Sequence, residues 1–166
     1  MFSISDASLD RRSALMLGGG MTLAAVSAAP AKAANPELQA ELSGVVDELT
    51  RHVHARDLAA LDVFDPVDCM LVGSAVDEVC VGREAISEHL KHYYAMPLRV
   101  GFSWRRTLAE RVGDQAAWLW SDGEVVLTGD DGKITRSPYR LTCLFTRRGR
   151  AWRIRLFSGS EPTAGG

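Results

Sequence analysis

The sequence predicts an α+β fold in which three helices pack on one face of a curved, mostly antiparallel sheet. Two patterns carry this prediction. Between residues 36 and 97, apolar residues recur in two segments at steps of three and four, which is the spacing of one helix face. From residue 98 onward, apolar and polar residues alternate in four long runs, which is typical of strands with one covered face.

The bulk composition is that of one ordinary soluble domain. The chain has 166 residues, of which 46% are apolar, and its formal net charge is −2. Nucleic-acid-binding proteins usually carry a basic excess or a basic stripe. Here 19 Lys and Arg are nearly matched by 21 Asp and Glu, so we expect no nucleic-acid partner.

Residues 1–33 have the features of an export signal. Arg11 and Arg12 precede a mildly apolar run, and Ala31-Lys32-Ala33 places small residues at both positions that a signal peptidase checks. The segment DRRSALM is similar to a twin-arginine signal in which Ala14 occupies the aromatic position.

The alternative for this segment is a buried first helix. Three successive glycines at 18–20 disfavour it, because they would destabilise a helix by about 2 to 3 kcal/mol. We therefore expect a mature domain over residues 34–166 that is periplasmic or secreted, with no stable membrane insertion once the signal is removed.

Three helices are predicted before residue 98. The first spans Pro36 to about Arg56, and the second is the short segment DLAALDVF, with Asp57 as its N-cap. The third follows Gly82, which ends a short strand, and is closed by Pro97. The apolar stripes are Leu38, Leu42, Val45, Leu49 and Val53 in the first helix, and Ala85, Ile86, His89, Leu90 and Tyr93 in the third.

Strands account for the rest of the predicted fold. A hairpin of DCMLVGS and EVCVG, joined by AVDE, lies between the second and third helices. The four alternating runs follow at 98–108, 115–128, 134–146 and 151–158. Their connections, RVGD, GDDGK and RRGR, are short and turn-like, so consecutive runs are expected to pair as an antiparallel meander.

The three cysteines are too few for a disulfide scaffold and too scattered for a zinc site. Cys69 and Cys80 lie symmetrically about the predicted hairpin turn, and an oxidising compartment would permit a disulfide between them. The alternative is that these two residues and Cys143 are small, buried apolar residues.

This order of elements, with four short motifs, resembles the nuclear-transport-factor-like superfamily that includes ketosteroid isomerase, and within it the SnoaL-like group. The motifs are RDLAALDVF (56–64), VGREAI (81–86), SPYRLTCLFTRRGRAWRI (137–154) and FSGSEP (157–162). The resemblance implies a cone-shaped, strongly curved sheet with three helices covering its concave face. In that fold a glycine, here Gly82, lets the chain turn from the hairpin into a helix across the mouth of the cone.

The resemblance also implies an interior hollow, which is the default ligand site of such a fold, but it does not imply one reaction. Ketosteroid isomerase chemistry needs a carboxylate base, a tyrosine and a protonated aspartic acid. Counted from the shared motifs, these positions fall near Gly73, at Leu49 and among residues 141–143. None of them offers the required group, so we do not expect that reaction.

Three other side chains are candidates for acid–base chemistry in the hollow. Asp77 lies in the predicted hairpin turn, where backbone hydrogen bonding is the common alternative role. His89 lies on the apolar stripe of the third helix, where a structural histidine is the alternative. Tyr139 shares a strand face with Leu141 and Cys143, and its alternative is a structural tyrosine bonded to the backbone.

Tyr93, Trp104 and Ser158 are the candidates for ligand contact. Tyr93 lies near His89 on the same helix, and Ser158 is expected on the same strand face as Trp152. In the alternative interpretation, Trp104 is a core or dimer-contact residue. The four histidines make no metal-ligand pattern, so no metal and no cofactor is expected.

The sequence thus predicts an exported domain that binds a small, mostly apolar molecule, with acid–base activity of an isomerase, cyclase or hydrolase type. The alternative is a non-catalytic ligand-binding or dimerisation module of the same fold. Because related proteins often pair through the sheet, the resemblance implies a homodimer. Arginines recur on the face that would be solvated or in contact with the partner, at positions 99, 105, 140, 153 and 155.

Overall fold

A computed structural model describes residues 35–162, and the predicted export signal at 1–33 lies outside them. Within this range the chain forms the predicted α+β fold. Its helices are α1 (Pro36–Ala55), a 3-10 helix (Leu58–Val63) and α2 (Gly82–Tyr94), and its strands are β1 (Met70–Val72), β2 (Val79–Val81), β3 (Leu98–Arg111), β4 (Ala116–Gly129), β5 (Ile134–Arg148) and β6 (Ala151–Ser160). Of the helices in this range, none has the length and apolar character needed to cross a membrane.

The six strands form one curved, unclosed sheet in the order β2-β1-β6-β5-β4-β3. Neighbouring strands are antiparallel except β1 and β6, which run parallel. The four long strands pair in chain order, because short turns join them. The predicted mostly antiparallel sheet and its meander are therefore confirmed.

The helices pack on the concave face of the sheet. Ile86 and Leu90 of α2 share one core with the inward side chains of Leu141, Cys143 and Phe145 on β5. The buried stripe of α1, formed by Leu38, Leu42, Val46 and Leu49, belongs to the same core. The alternation predicted for β5 is confirmed, since its inward residues are buried at every second position.

Two irregularities bend the long strands. At Arg105, an extra residue in β3 shifts its register against β4. The facing residue Gly123 passes so close to β3 that any Cβ would overlap the carbonyl oxygen of Ser103. A second bulge, at Arg155, shifts β6 against β5. Bulges increase twist and bend a strand, so the sheet curves around the helices.

The ends of α1 fix its position against the sheet. Asn35 caps the helix by accepting a hydrogen bond from the Leu38 amide at 3.0 Å. The chain leaves α1 at Arg56, which has a φ of 58°. The Arg56 guanidinium then donates to the carbonyl oxygens of Met96 at 2.7 Å and Leu98 at 2.9 Å. These bonds hold the C-terminus of α1 against the start of β3.

The second predicted helix is present and is a 3-10 helix. Its predicted cap is confirmed, because Asp57 accepts from the Ala59 amide at 2.9 Å. The helix has six residues, Leu58–Val63, which is longer than most 3-10 helices.

The β1–β2 hairpin has a different register from the one that a disulfide would require. Leu71 pairs with Cys80, and the carbonyl oxygen of Cys69 accepts from the Gly82 amide at 2.8 Å. Cys69 therefore lies opposite the start of α2, and all three cysteines are free. Gly82 has a φ of 84°, a left-handed conformation that glycine adopts without strain, and it starts α2 directly after the strand.

Candidate functional site

A cavity of about 130 Å³ lies between the helices and the concave face of the sheet. Engineered apolar cavities of about 150 Å³ hold one benzene molecule, so this cavity has room for a ring-sized apolar group. Its apolar lining comprises Leu49, Val53, Phe64, Leu71, Leu90, Val100, Phe102, Val125, Leu127 and Phe157. The other lining residues are Gly73, Ser74, Glu78, His89, Tyr93, Tyr139 and Glu161.

Helix α2 places His89 and Tyr93 on the cavity wall. The two residues are one helical turn apart, so their side chains project from the same face. Their ring centroids are 5.3 Å apart. Burial is the main cause that raises the pKa of the Tyr93 hydroxyl, and the nearby charges of Glu78 and Glu161 add to it. Tyr93 therefore remains a neutral hydroxyl at physiological pH.

Tyr139 reaches the cavity from β5, and its side chain is 6% exposed. Gly159 on the neighbouring strand accommodates it, because any Cβ at position 159 would overlap the tyrosine hydroxyl. Burial first, then the nearby Tyr93, Glu78 and Glu161, raise the pKa of Tyr139 well above its ordinary value. Within residues 35–162 its hydroxyl makes no hydrogen bond, so it is a neutral donor and acceptor available to a bound molecule.

Glu78 and Glu161 are two cavity residues that sequence reasoning missed. The Glu78 carboxylate accepts from the Ala75 amide at 3.0 Å. Glu161 accepts from the Ser74 hydroxyl at 3.3 Å, which joins the segment after β6 to the hairpin. Both carboxylates therefore reach the cavity from chain segments next to the β1–β2 turn.

Glu78 lies next to Gly73, the residue near which the sequence comparison with ketosteroid isomerase places the carboxylate base. Its side chain lies over Gly73 so closely that a Cβ at 73 would overlap it, and the Gly73 amide donates to the Glu78 carbonyl oxygen at 2.7 Å. A carboxylate therefore lies beside Gly73, on a side chain from the other strand of the hairpin. The period of two in EVCVG could have indicated this, since Val79 and Val81 are exposed and the residues alternating with them face inward.

Asp77 does not reach the cavity. It is exposed in the hairpin turn, one residue before the glutamate that lines the wall. Val76, its neighbour in the turn, is fully exposed as well, so this part of the hairpin faces solvent. The structure therefore brings His89 and Tyr139 together in one cavity, and places Glu78 there in the position expected of Asp77.

Ser158 also lies outside the cavity lining, for a reason that the alternation could not show. The bulge at Arg155 inserts one residue into β6, and a shift of one residue exchanges the two faces of a strand. Phe157 and Gly159 consequently face inward and are buried. Ser158 instead pairs with the exposed Thr142.

Trp104 lies behind the cavity wall. Its ring stacks on Phe102, a lining residue, with centroids 5.4 Å apart, and its centroid is 6.4 Å from that of Tyr139. Its indole nitrogen is buried without a hydrogen-bond partner among the residues that the structure describes. Trp104 is therefore a support for the wall, because it packs behind Phe102 and is not itself a lining residue.

The polar groups define what the cavity can do chemically. Glu78 and Glu161 supply carboxylate acceptors, His89 supplies an imidazole, and the two tyrosines supply neutral hydroxyls. The positions counted for ketosteroid isomerase chemistry are Gly73, Leu49 and residues 141–143, and Leu49 lines the cavity as an apolar residue. In the described part of the chain, no group of three or more His, Cys, Asp or Glu side chains could hold a metal ion.

Solved structures with the same architecture come from several bacteria. A provisionally named aromatic ring hydroxylase from Novosphingobium aromaticivorans has a TM-score of 0.69 and 16% identity, covering 78% of this chain and 92% of its own. A provisionally named dehydratase of the NTF2-like family from Streptomyces avermitilis has a TM-score of 0.68 and 14% identity, covering 78% and 100%. A ketosteroid isomerase-like protein from Erwinia carotovora atroseptica has a TM-score of 0.62 and 15% identity, covering 77% and 98%.

At these identities the structural likeness shows the fold alone. No curated protein matches the chain significantly in sequence. A family model described as the SnoaL-like domain, however, matches residues 43–164, from within α1 to beyond the end of β6. The chain therefore belongs to the SnoaL-like domain family and has the cone fold of the NTF2-like superfamily.

Proposed function

We propose that this domain binds one small, mostly apolar molecule in the cavity and orients it through the polar groups at one side. The observation that carries the proposal is the Tyr139 hydroxyl, on a side chain that is 6% exposed, which reaches an apolar cavity and has no hydrogen-bond partner among residues 35–162. Buried polar groups are normally hydrogen-bonded. A bound molecule, or water in its absence, would satisfy this hydroxyl.

Acid–base activity is the finer part of the proposal. Glu78 or His89 would exchange a proton with the bound molecule, while Tyr139 would donate a hydrogen bond to it. Reactions of the isomerase, cyclase or hydrolase type need such groups within reach of one substrate. Similar structures carry the names of a dehydratase, a hydroxylase and an isomerase-like protein.

Non-catalytic binding is the competing function, and a specific observation favours it. Both cavity carboxylates are engaged locally, since Glu78 accepts from the Ala75 amide and Glu161 from the Ser74 hydroxyl. A carboxylate that caps a turn is a common structural feature. Turnover of a co-purifying compound by the wild type and its loss in Glu78→Gln would distinguish catalysis from binding.

The binding proposal is tested with the purified full-length chain. Mass spectrometry of the small molecules that co-purify with it identifies the occupant, and titration then gives its affinity. We expect Tyr139→Phe to weaken binding by about three- to tenfold, the equivalent of one hydrogen bond. Tyr94→Phe is the matched control, because the Tyr94 hydroxyl donates to the Asp57 carbonyl oxygen at 3.2 Å, outside the cavity lining. Equal affinity in wild type and Tyr139→Phe would contradict the proposed role of this hydroxyl.

A homodimer that pairs through the outer face of the sheet is a second proposal. Trp118 and Trp120 are partly exposed on that face, alternating with the buried Ala117 and Leu119. Tryptophan is enriched at protein interfaces. We expect sedimentation to show a dimer that Trp120→Glu dissociates, and a monomeric wild type would overturn the proposal.

Export to the periplasm or the medium is the third proposal, and it rests on the sequence. We expect the mature form to begin near Ala34 and its export to require Arg11 and Arg12. N-terminal sequencing of the exported protein tests the first point, and an Arg11→Lys, Arg12→Lys variant tests the second. Retention of the full-length wild-type chain in the cytoplasm would contradict both.

A further inference from the structure

The Asp, Glu, Lys and Arg residues that line the cavity are all acidic. Glu78 and Glu161 line the cavity, whereas no Lys or Arg of the described chain does. Neither carboxylate forms an ion pair within residues 35–162. Their hydrogen-bond partners are an uncharged amide and an uncharged hydroxyl, so their negative charge is not neutralised by the protein.

The same two carboxylates act on the tyrosine hydroxyls of the cavity wall. Burial is the first cause that raises the pKa of Tyr93 and of Tyr139, and the charges of Glu78 and Glu161 contribute to both shifts. A hydroxyl whose ionisation is opposed by neighbouring carboxylates lies where a second negative charge is unfavourable. A carboxylate or phosphate ligand would meet the same repulsion.

The aromatic wall favours the opposite charge. The rings of Phe64, Phe102, Phe157, Tyr93 and Tyr139 line the cavity. The faces of aromatic rings carry partial negative charge and attract ammonium groups. In addition, the unpartnered Tyr139 hydroxyl, on a side chain that is 6% exposed, can accept a hydrogen bond from an N–H donor.

We propose that the cavity selects small amines: molecules with a ring-sized apolar body and a protonated amino group placed near Glu78 and Glu161. The inference rests on the proposed binding function and specifies its ligand class. The apolar body packs against the aromatic and aliphatic side chains of the cavity. The ammonium group lies near Glu78 and Glu161 and balances their negative charge. Neutral ligands of the same shape bind more weakly, and anionic ones more weakly still.

Three probes of nearly equal shape test the proposal by calorimetric titration of the full-length protein. Benzylamine is a cation at neutral pH, benzyl alcohol is neutral and benzoate is an anion. We expect the affinity to fall in that order, with benzylamine at least about tenfold tighter than benzoate at low salt. Because the carboxylates are near solvent, about 0.5 M salt should reduce this ratio.

Charge-neutral variants assign the preference to the two carboxylates. Glu78→Gln and Glu161→Gln each retain an oxygen that can accept from Ala75 or Ser74, so the hairpin contacts are preserved. We expect each variant to reduce the benzylamine-to-benzoate ratio by about threefold or more. Glu88→Gln is the matched control, since Glu88 pairs with Lys91 at 2.7 Å on the exposed side of α2. It should leave the ratio unchanged.

The possible results separate the two proposals. If benzyl alcohol binds and benzoate binds as tightly as benzylamine, amine selection is overturned while the binding function stands. An unchanged ratio in both glutamate variants also overturns it. If none of the three probes binds, the ring-sized binding site itself fails, and the inference fails with it.

Discussion

The two ends of strand β5 differ in how tightly their inward side chains are packed and in whether their polar groups are hydrogen-bonded within the protein. Phe145 and Tyr139 both face inward on this strand, about 20 Å apart along the chain. Around Phe145, which is fully buried, the core is continuous. Around Tyr139 the smaller cluster with Val100 and Val125 borders the cavity.

The buried polar groups show the same contrast. Near Phe145, the fully buried Asp65 accepts from the Thr146 hydroxyl at 2.6 Å and from the Arg148 guanidinium at 2.9 and 3.1 Å. Near Tyr139, the tyrosine hydroxyl has no partner within residues 35–162. One end of the strand thus stabilises the fold, while the other presents a hydroxyl without a protein partner that a ligand can use.

Truncation of one phenylalanine at each end gives the largest expected effect. We expect Phe145→Ala to lower the free energy of unfolding by about 3 to 5 kcal/mol, because it opens a void in a packed core. Phe102→Ala should cost about 1 to 2 kcal/mol, since Phe102 is partly exposed and already borders a cavity. The free energies of unfolding of the wild type and of both variants can be measured by urea denaturation. Equal losses would mean that the ends do not differ in packing.

Removal of the buried charge near Phe145 should have the next largest effect. Burial raises the pKa of Asp65, but hydrogen bonds from Arg148, Thr146 and two backbone amides outweigh it and hold the pKa well below its usual range. We expect Asp65→Asn to lose about 2 to 3 kcal/mol of stability at pH 7.

The same substitution predicts a change in pH dependence. Because the folded pKa of Asp65 is depressed, its stabilisation is complete above the unfolded value of about 4 and is lost as the pH falls below it. Unfolding free energies measured between about pH 7 and pH 3 should therefore decline more steeply for wild type than for Asp65→Asn. Parallel curves would show that Asp65 is not the group whose protonation destabilises this end.

Most of the fold could be predicted from the sequence, because its signals are local and repeated. The alternation in β5 and the stripe of α1 each specify a buried face, and Gly82 marks the turn into α2. These patterns require no knowledge of which residues meet across the sheet. The sequence predicts the second helix at the right place but not its 3-10 type, because so short a segment does not show whether its period is 3.0 or 3.6 residues.

The candidate site was harder to predict, because it depends on register. A one-residue insertion at Arg155 reverses the expected orientation of Ser158, and nothing in the local composition of β6 marks it. Likewise, Glu161 reaches Ser74 across 87 positions of sequence, a contact that periodicity does not encode. His89, Tyr93 and Tyr139 could be predicted to face the cavity because each lies on a regular apolar face.

A substitution beside Tyr139 tests how tightly the cavity end is built, with a smaller expected effect. In Gly159→Ala, the new methyl group would overlap the tyrosine hydroxyl. We expect a loss of about 1 to 2 kcal/mol in the free energy of unfolding, the usual range for an overpacked site. Gly44→Ala is the control, because a methyl group added at Gly44 in α1 would meet no neighbour within 4 Å. That variant should instead gain up to about 1 kcal/mol from helix propensity.

Combining Gly159→Ala with Tyr139→Phe isolates the contact. Removing the hydroxyl should recover part of the lost stability, though not all of it, because the ring Cζ would still lie 2.5 Å from the added methyl. A double-mutant cycle measures this coupling directly. If the two substitutions prove additive, the ring moves into the cavity without strain, and the cavity end is then looser than its contacts indicate. A measurable coupling instead means that Gly159 fixes the Tyr139 hydroxyl at the cavity wall, where a bound molecule would meet it.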